Sequence, residues 1–527
     1  MQLKMRKMRR RCTGKGEWRG VKTFMLRGDL SSAERARITH SANSSSTTMA
    51  LQAEGGGGCG GVIGSDGVSG GAADSRDDDD DDDEAGSDGA CDGVVKDDPT
   101  TLQPLRLSWL MVAVVAVVVG WLWLGGSGGG SGGGGVGGRP PALISVIIDA
   151  GSTGTRLHVY TFSRPQPGGR RMVLQGEEFL SVEPGLSAYA NHPEQCRASV
   201  RSLIAVARRH VPPTLWSCTP LSLRATAGLR LLAPHTAHAL LQQAREELES
   251  SPFLVSDVSI MAGSDEALLA WVTINLLTGV LFNAPRGETA GILDLGGGST
   301  QITFWPHSKV SAAASSSPQD FMVEFHLAPT TFNLYCHSYL GLGLMSARLS
   351  MLGVEEGAAV EAGRTLHSPC LPSTFSGLWT NNGIEYHASG AAPDECGYES
   401  CAGRVRLLLG HSVHRPQELG SHSFYAFSYY YDRAVDSGLV DEELGGSVTV
   451  QQFEDKAREV CGAPDDWAEQ QPFLCLDLTY ISTLLQHGFG FQPDSTLMLS
   501  KKVGGVETGW ALGAAFRDLA EMQGEQQ

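Results

Sequence analysis

The stretch Ile147-Ile148-Asp149-Ala150-Gly151-Ser152-Thr153-Gly154-Thr155-Arg156 limits what this chain can fold into more than any other. An apolar run from Leu143 to Ile148 reads as a buried strand. It ends on the carboxylate of Asp149 and turns through small hydroxyl residues. The next run, Leu157 to Phe162, alternates like a second strand. Gly151 and Gly154 allow a sharp bend and a close approach to a ligand. Backbone N–H groups there, with the hydroxyls of Ser152, Thr153 and Thr155, make a phosphate cradle. The stretch has an echo in Leu293-Asp294-Leu295-Gly296-Gly297-Gly298-Ser299-Thr300-Gln301-Ile302. The two aspartates stand 145 positions apart, too far for a solenoid repeat. The spacing suits two similar lobes, each offering one hairpin to a shared cleft. The bland alternative is two ordinary glycine hairpins, and the match of strand, Asp and hydroxyls in both argues against it. Asp149 and Asp294 are placed to hold a divalent metal between them, directly or through water.

Residues 1–105 are rich in Gly and Ser and carry the acidic run Asp77 to Asp83, then Glu84. They read as a disordered tail. The basic cluster Lys4, Arg6, Lys7, Arg9, Arg10 and Arg11 reads as a solvated end. The chain's net charge of −18 argues against a nucleic-acid partner. Leu107 to Leu124 is uncharged and, at ~1.5 Å per residue, about as long as a hydrocarbon core. Trp109, Trp121 and Trp123 suit its interfaces. It reads as a signal anchor with the tail cytoplasmic, and 125–141 as a flexible Gly/Ser stalk.

Beyond the stalk, strands are expected near 144–148, 157–162, 221–226 and 257–261. Helices are expected near 193–210, 234–249, 265–277 and 511–523. Eight cysteines lie there: Cys196, Cys218, Cys336, Cys370, Cys396, Cys401, Cys461 and Cys475. Their spacings do not fit zinc, and spacing alone leaves their pairing open. No Gly-x-Ser-x-Gly elbow, P-loop or His-Glu-x-x-His is present.

The paired hairpins resemble the actin/hexokinase/Hsp70 superfamily. Three more segments narrow the resemblance: Leu223 to Leu232, Ser259 to Asn275, and Phe424 to Asp432. With the hairpins they resemble the five apyrase regions of the ectonucleoside triphosphate diphosphohydrolases, in order, from about Ile144 to Phe516. The wording is nearest the type 5 and type 6 branch, leaning to type 6 through the anchor and Ser368-Pro369-Cys370-Leu371-Pro372.

The resemblance implies a two-lobed, ribonuclease H-like α/β fold with the active site in the interlobe cleft. Lobe I would span 142–264 and about 489–527, and lobe II 265–488, with the terminal helix packing back onto lobe I. It implies disulfides Cys370–Cys401 and Cys461–Cys475, with Cys396 competing for Cys370. It implies metal-dependent hydrolysis of nucleoside diphosphates, GDP, IDP and UDP ahead of ADP, with Ca²⁺ or Mg²⁺. A Golgi or other secretory membrane would hold the enzyme with its catalytic part lumenal, a secreted form being released from the stalk. A monomer is expected.

Glu266 is the candidate base; the plainer reading is a helix-start carboxylate with Ser264 as cap. The helix dipole would lower its pKa and burial would raise it. The resemblance gives Ser299 and Gln301 the orientation of the attacking water, although Gln301 also reads as an outward strand residue. Thr226 and Ala227, with Gly151 to Thr155 and Gly296 to Gly298, complete the phosphate cradle; Thr226 also reads as a plain strand end. Arg156 suits phosphate or an ion pair equally. The run Tyr429 to Tyr431 reads as strand, with Tyr431 stacking on the base. Trp271 and Trp510 read as core, and Leu340 to Leu344 as packing. The rival readings are an exopolyphosphatase-like hydrolase, a sugar kinase and a non-hydrolytic Hsp70-like nucleotide-binding module.

Overall fold

A computed structural model of the protein describes residues 142–524, apart from 165–171, 286–287, 308–320, 328–329, 356–357, 359–363 and 464–469. The tail, the apolar run 107–124 and the whole stalk lie outside the described residues. Among the described residues no helix is long and apolar enough to cross a membrane.

Two sheets repeat one plan. The first contains β1 (Leu143–Ala150), β2 (Thr155–Ser163), β3 (Val173–Val182), β4 (Pro220–Ala225) and β5 (Leu254–Ile260), in the order β3-β2-β1-β4-β5. Strands β1 to β3 form an antiparallel meander, and β4 and β5 add in parallel beside β1. The second contains β6 (Gly291–Leu295), β7 (Ser299–Phe304), β8 (Met322–Leu327) and β9 (Thr330–Leu340). After a small sheet of β10 (Thr365–Ser368), β11 (Ser376–Asn381) and β12 (Ile384–Gly390), it is completed by β13 (Phe424–Ser428), β14 (Gly446–Thr449) and β15 (Thr496–Leu499). Its order is β14-β15-β13-β6-β7-β9-β8. Without the edge strands β8 and β14, this is the first sheet again: β6 stands for β1, β7 for β2, β9 for β3, β13 for β4 and β15 for β5. The expected two-lobed α/β fold is therefore present as an internal duplication.

Strand alternation decides which residues face the cleft. In β1, Ile144, Val146 and Ile148 join the core formed with helices Cys196–His210 and Pro234–Glu249, whereas Ile147 joins a central core. In β6, Leu293 and Leu295 face that lobe's own helices, and Ile292 joins the same central core. Asp149 keeps the parity of Ile147, and Asp294 that of Ile292. The alternation thus turns both carboxylates toward the layer between the sheets.

That layer is two helices, Gly263–Leu277 and Ala511–Gly524. The first is buried on every side from Glu266 to Asn275 and mostly apolar there, with Trp271 fully enclosed; that one side chain contributes roughly 2–3 kcal/mol. The helices cross closely at Gly513, where a Cβ would lie 2.1 Å from Leu269 O, and the Gly513 N–H donates to Thr273 Oγ1 at 2.9 Å. Phe516 packs on Phe162 of β2 at 6.3 Å, and Arg224 of β4 donates to Asp518 at 2.6 Å. The terminal helix does return to the first lobe. The chain is still in the second sheet beyond 489, because Thr496–Leu499 pairs with both β13 and β14. A short hairpin, β16 (Lys502–Val503) and β17 (Val506–Glu507), precedes the terminal helix.

Both disulfides form as the resemblance implies, Cys370–Cys401 and Cys461–Cys475, and Cys396 is a free thiol. They tie the small sheet and the outer helices of the second lobe.

Candidate active site

The two glycine turns occupy equivalent places in the duplicated sheets. Asp149 pairs across its hairpin with Arg156, and Asp294 pairs with Gln301. Gly151 admits no side chain, since a Cβ would lie 2.8 Å from Gly154 O. The turns touch: a Cβ on Gly297 would lie 2.4 Å from Ser152 Oγ and 3.1 Å from Thr153 Cγ2. The second turn is fixed from behind by the start of helix Leu344–Met351. Leu344 and Met345 donate to the carbonyls of Gly296 and Gly297, both at 2.9 Å. Gly343 is needed there, because its Cβ would lie 2.4 Å from Ser299 N. The run read as packing therefore packs against the candidate phosphate turn itself.

Thr226 follows β4 and begins the single turn Ala227–Arg230, its N–H donating to Ala150 O at 3.2 Å. That turn carries Arg230 into the cleft. Arg230 Nη2 donates to Glu266 Oε2 at 2.7 Å and to Ser299 Oγ at 3.1 Å. Gln301 Nε2 donates to Ser299 Oγ at 2.6 Å and to Ser338 Oγ at 3.1 Å. Ser299 Oγ thus accepts from two donors, which leaves its own hydrogen to donate outward. Gln301 Oε1 is buried with no partner among the described residues. Gln301 is 1% exposed and faces inward, so it is not an outward strand residue.

Glu266 is the fourth residue of its helix, whose N-cap is Ala262 with no side-chain cap. Ser264 is inside the helix and does not cap it. Burial pushes the Glu266 carboxyl up to about 8; Arg230 opposes the shift, and Asp294 and Asp149 add to it. Desolvation is the largest cause and outweighs the opposing charge of Arg230. Burial likewise pushes Asp294 up to about 6, with Ser428 and Arg156 opposing and Asp149 adding.

The Asp149 carboxylate accepts from Arg156 Nη1 at 3.2 Å, so Arg156 forms the ion pair. Asp149 Oδ1 and Asp294 Oδ1 are both buried without a partner among the described residues. Two facing carboxylates, each with an orphaned oxygen, fit a hard divalent cation that completes its shell with water and substrate oxygens. Among the described residues no group of three or more His, Cys, Asp or Glu is placed to enclose an ion by itself.

The tyrosine run differs from expectation. β13 ends at Ser428, and a helix begins at Tyr429. Tyr431 is 3% exposed in the second lobe's core, and its hydroxyl donates to Glu442 O. It offers no ring face for stacking on a base. Tyr429 holds the cleft position, bonded to Thr153 of the first turn, with Arg433 lying 5.6 Å from its ring centre. Ser428 at φ +58 is a strained non-glycine residue beside Asp294. Sequence reasoning gave no role to Arg230 or Ser428 and, within the tyrosine run, chose Tyr431 over Tyr429. The signal for Ser428 and Tyr429 was the duplication: β13 corresponds to β4, whose end also passes straight into a helical turn at the cleft. Trp271 and Trp510 are core residues, as expected.

Residues 143–527 match the GDA1/CD39 (nucleoside phosphatase) family. This chain belongs to that family. Among GDA1/CD39 relatives, the human nucleoside diphosphate phosphatase ENTPD5 is 48% identical over 382 residues, covering 72% of this chain and 88% of that protein. The rat ectonucleoside triphosphate diphosphohydrolase 6 is 48% identical over 380 residues, covering 72% and 82%. The two branches match equally, so identity does not carry the leaning to type 6. A solved structure of nucleoside triphosphate hydrolases from Neospora caninum shares the fold, with a TM-score of 0.51 at 15% identity over 79% of this chain and 98% of that one.

Proposed function

We propose that this chain hydrolyses nucleoside diphosphates, GDP, IDP and UDP ahead of ADP, to the monophosphate and phosphate. The observation that carries the reading is the meeting of Glu266, Arg230, Ser299 and Gln301 beside the paired glycine turns. The human relative is a nucleoside diphosphate phosphatase, which supports the substrate class.

Arg230 occupies Glu266 Oε2 and leaves Oε1 to accept from water. Gln301 Oε1 accepts that water's second hydrogen, while the Ser299 hydroxyl donates to it or to a phosphoryl oxygen. Glu266 takes a proton as the water oxygen bonds to the terminal phosphorus. The bridging P–O bond breaks, and the nucleoside monophosphate leaves with the electron pair. The turns around Gly151–Thr155 and Gly296–Gly298, with Thr226, hold phosphate oxygens in line. A Ca²⁺ or Mg²⁺ ion held by Asp149 and Asp294 through water would neutralise diphosphate charge. The phosphate turns contact what all nucleotides share, so base preference belongs to the surroundings of Tyr429.

The run 107–124 serves in this reading as the anchor of a secretory-pathway enzyme whose catalytic part is lumenal. Phosphate release from GDP, UDP, ADP, GTP, ATP and polyphosphate, with divalent cation and then with EDTA, tests the function. Faster release from ATP or polyphosphate than from GDP and UDP overturns the substrate class, and turnover in EDTA overturns the cation.

A further inference from the structure

The hairpin β11–β12 turns through two residues, Asn382 and Gly383, with φ of +50° and +75°. This is the Asn-Gly pattern of a tight hairpin whose twist matches its strands. The hairpin belongs to the second lobe: Trp379, Tyr386 and Ala388 are part of that lobe's core, and the Cys370–Cys401 disulfide ties its base to helix Tyr398–Leu409. Its tip nevertheless ends on the first lobe. Asn382 Oδ1 accepts from Ser187 Oγ at 2.8 Å. A Cβ on Gly383 would lie 2.8 Å from Ala188 O, so the tip meets the short helix Leu186–Tyr189 backbone to side.

That helix braces the first phosphate turn. Gly185 donates to Thr153 O at 2.9 Å, and a Cβ on Gly185 would lie 2.6 Å from Ser152 O. Ser187 is fully buried, and its Oγ lies 3.2 Å from Ser152 O. A Cβ on Gly228, beside Arg230, would lie 3.0 Å from the same Oγ. One hydroxyl hydrogen therefore has two acceptors, the phosphate turn of its own lobe and the hairpin tip of the other. The hydroxyl can satisfy only one of them at a time.

We propose that Asn382 is a positioning residue: it forms an interlobe clasp with Ser187 that holds the cleft closed around the nucleotide and must release for the nucleotide to leave. The inference rests on the nucleotide-hydrolase reading. Opening the cleft separates Asn382 from Ser187, and the freed hydroxyl passes to Ser152 O, so the phosphate turn keeps its brace in the open state. The clasp thus links the state of the cleft mouth to the turn that grips the phosphates. It favours the closed state because opening exchanges the 2.8 Å bond to Asn382 for the longer 3.2 Å one to Ser152 O, and the loss of that difference is read as a change in nucleotide retention.

The test uses the full chain. Asn382→Gly removes the acceptor and keeps a Gly-Gly turn of the same type. Asn382→Asp keeps an acceptor and tolerates the positive φ. KM for GDP and UDP should rise about 2- to 10-fold in Asn382→Gly with kcat changed less than twofold, in keeping with one lost hydrogen bond. A fluorescent, non-hydrolysable diphosphate analogue should leave faster by a similar factor. Asn382→Asp should return both quantities to wild type. Ser187→Ala should reproduce the Asn382→Gly shift, and the double variant should add nothing to it. Wild-type KM and release rate in a folded Asn382→Gly protein overturn the clasp, as does failure of a folded Asn382→Asp to restore them. A wild-type protein that hydrolyses no nucleoside diphosphate overturns the parent reading, and the clasp with it.

Discussion

Arg230 reaches Glu266 at 2.7 Å from a different element, and the same nitrogen reaches Ser299 of the second lobe at 3.1 Å. One guanidinium therefore bridges the candidate base and Ser299, the residue proposed to orient its water. It also supplies the positive charge that opposes the rise in the Glu266 pKa.

Replacing the base separates chemistry from binding. Glu266→Gln should lower kcat by ~10²–10⁴-fold, the usual worth of a general base. Nucleotide binding, measured calorimetrically, should survive. Wild-type turnover in the folded variant would remove Glu266 from the mechanism.

The same variant should be more stable at neutral pH and above. The folded carboxyl holds its proton up to about 8, whereas the unfolded one loses it near its ordinary value of 4.5. Between those values the folded state binds more protons, so stability falls as pH rises, and the cost is full above the upper one. Glu266→Gln removes that cost. In metal-free buffer its Tm should exceed wild type by a few degrees at pH 8 and match it near pH 4. An equal or lower Tm at pH 8 contradicts the raised pKa.

Removing the bridge should move the pH profile. Arg230 lowers the Glu266 pKa, so Arg230→Gln should raise it. The basic form of Glu266 is the active one, and the rising limb of kcat/KM should shift to higher pH as its plateau falls ~10–100-fold. A fall with no shift of the limb would assign Arg230 to substrate alone.

Cation dependence should follow the two aspartates. Asp149→Asn and Asp294→Asn each remove one charge beside an orphaned buried oxygen. The concentration of Ca²⁺ or Mg²⁺ giving half-maximal rate should rise at least ~10-fold in each. An unchanged cation titration in both would place the ion elsewhere.

The tyrosines divide by burial. Tyr431→Phe deletes a hydroxyl bonded to Glu442 O. It should cost about 1 kcal/mol of stability and leave KM unchanged. Tyr429→Ala opens the cleft beside Thr153 and should raise KM for every base. A KM effect of Tyr431→Phe alone would restore Tyr431 to the base site.

The hairpins, both aspartates and the terminal helix were legible from local chemistry, whereas Glu266 came only with the resemblance, because its residues alone read as a capped helix start. An apolar strand ending in Asp-x-Gly needs no distant partner to be recognised. Arg230 was not legible, since an arginine on a short turn carries no sign of which carboxylate it will meet 36 positions away. Tyr429 to Tyr431 misled because tyrosine favours strands, while the duplicated topology demands a helix after β13. Gly343 was invisible for another reason: its need comes from the backbone of Gly297 and Ser299, which only folding brings against it. The late return of the chain to the second sheet has the same origin, a strand pairing at Thr496–Leu499 that adds to a sheet begun at Gly291.

The layer between the sheets has a consequence for how the chain is made. Strand Leu143–Ala150 turns Ile147 toward a face covered by helix Ala511–Gly524, whose residues leave the ribosome roughly 360 positions later. At ~5–20 residues per second, that interval is roughly 20 to 70 seconds. For that time the first sheet is built but bare on one side, an oily surface offered to every neighbour in a crowded compartment. A holdase chaperone that engages this face early and yields it to the terminal helix would serve the nascent chain better than any change to the finished enzyme.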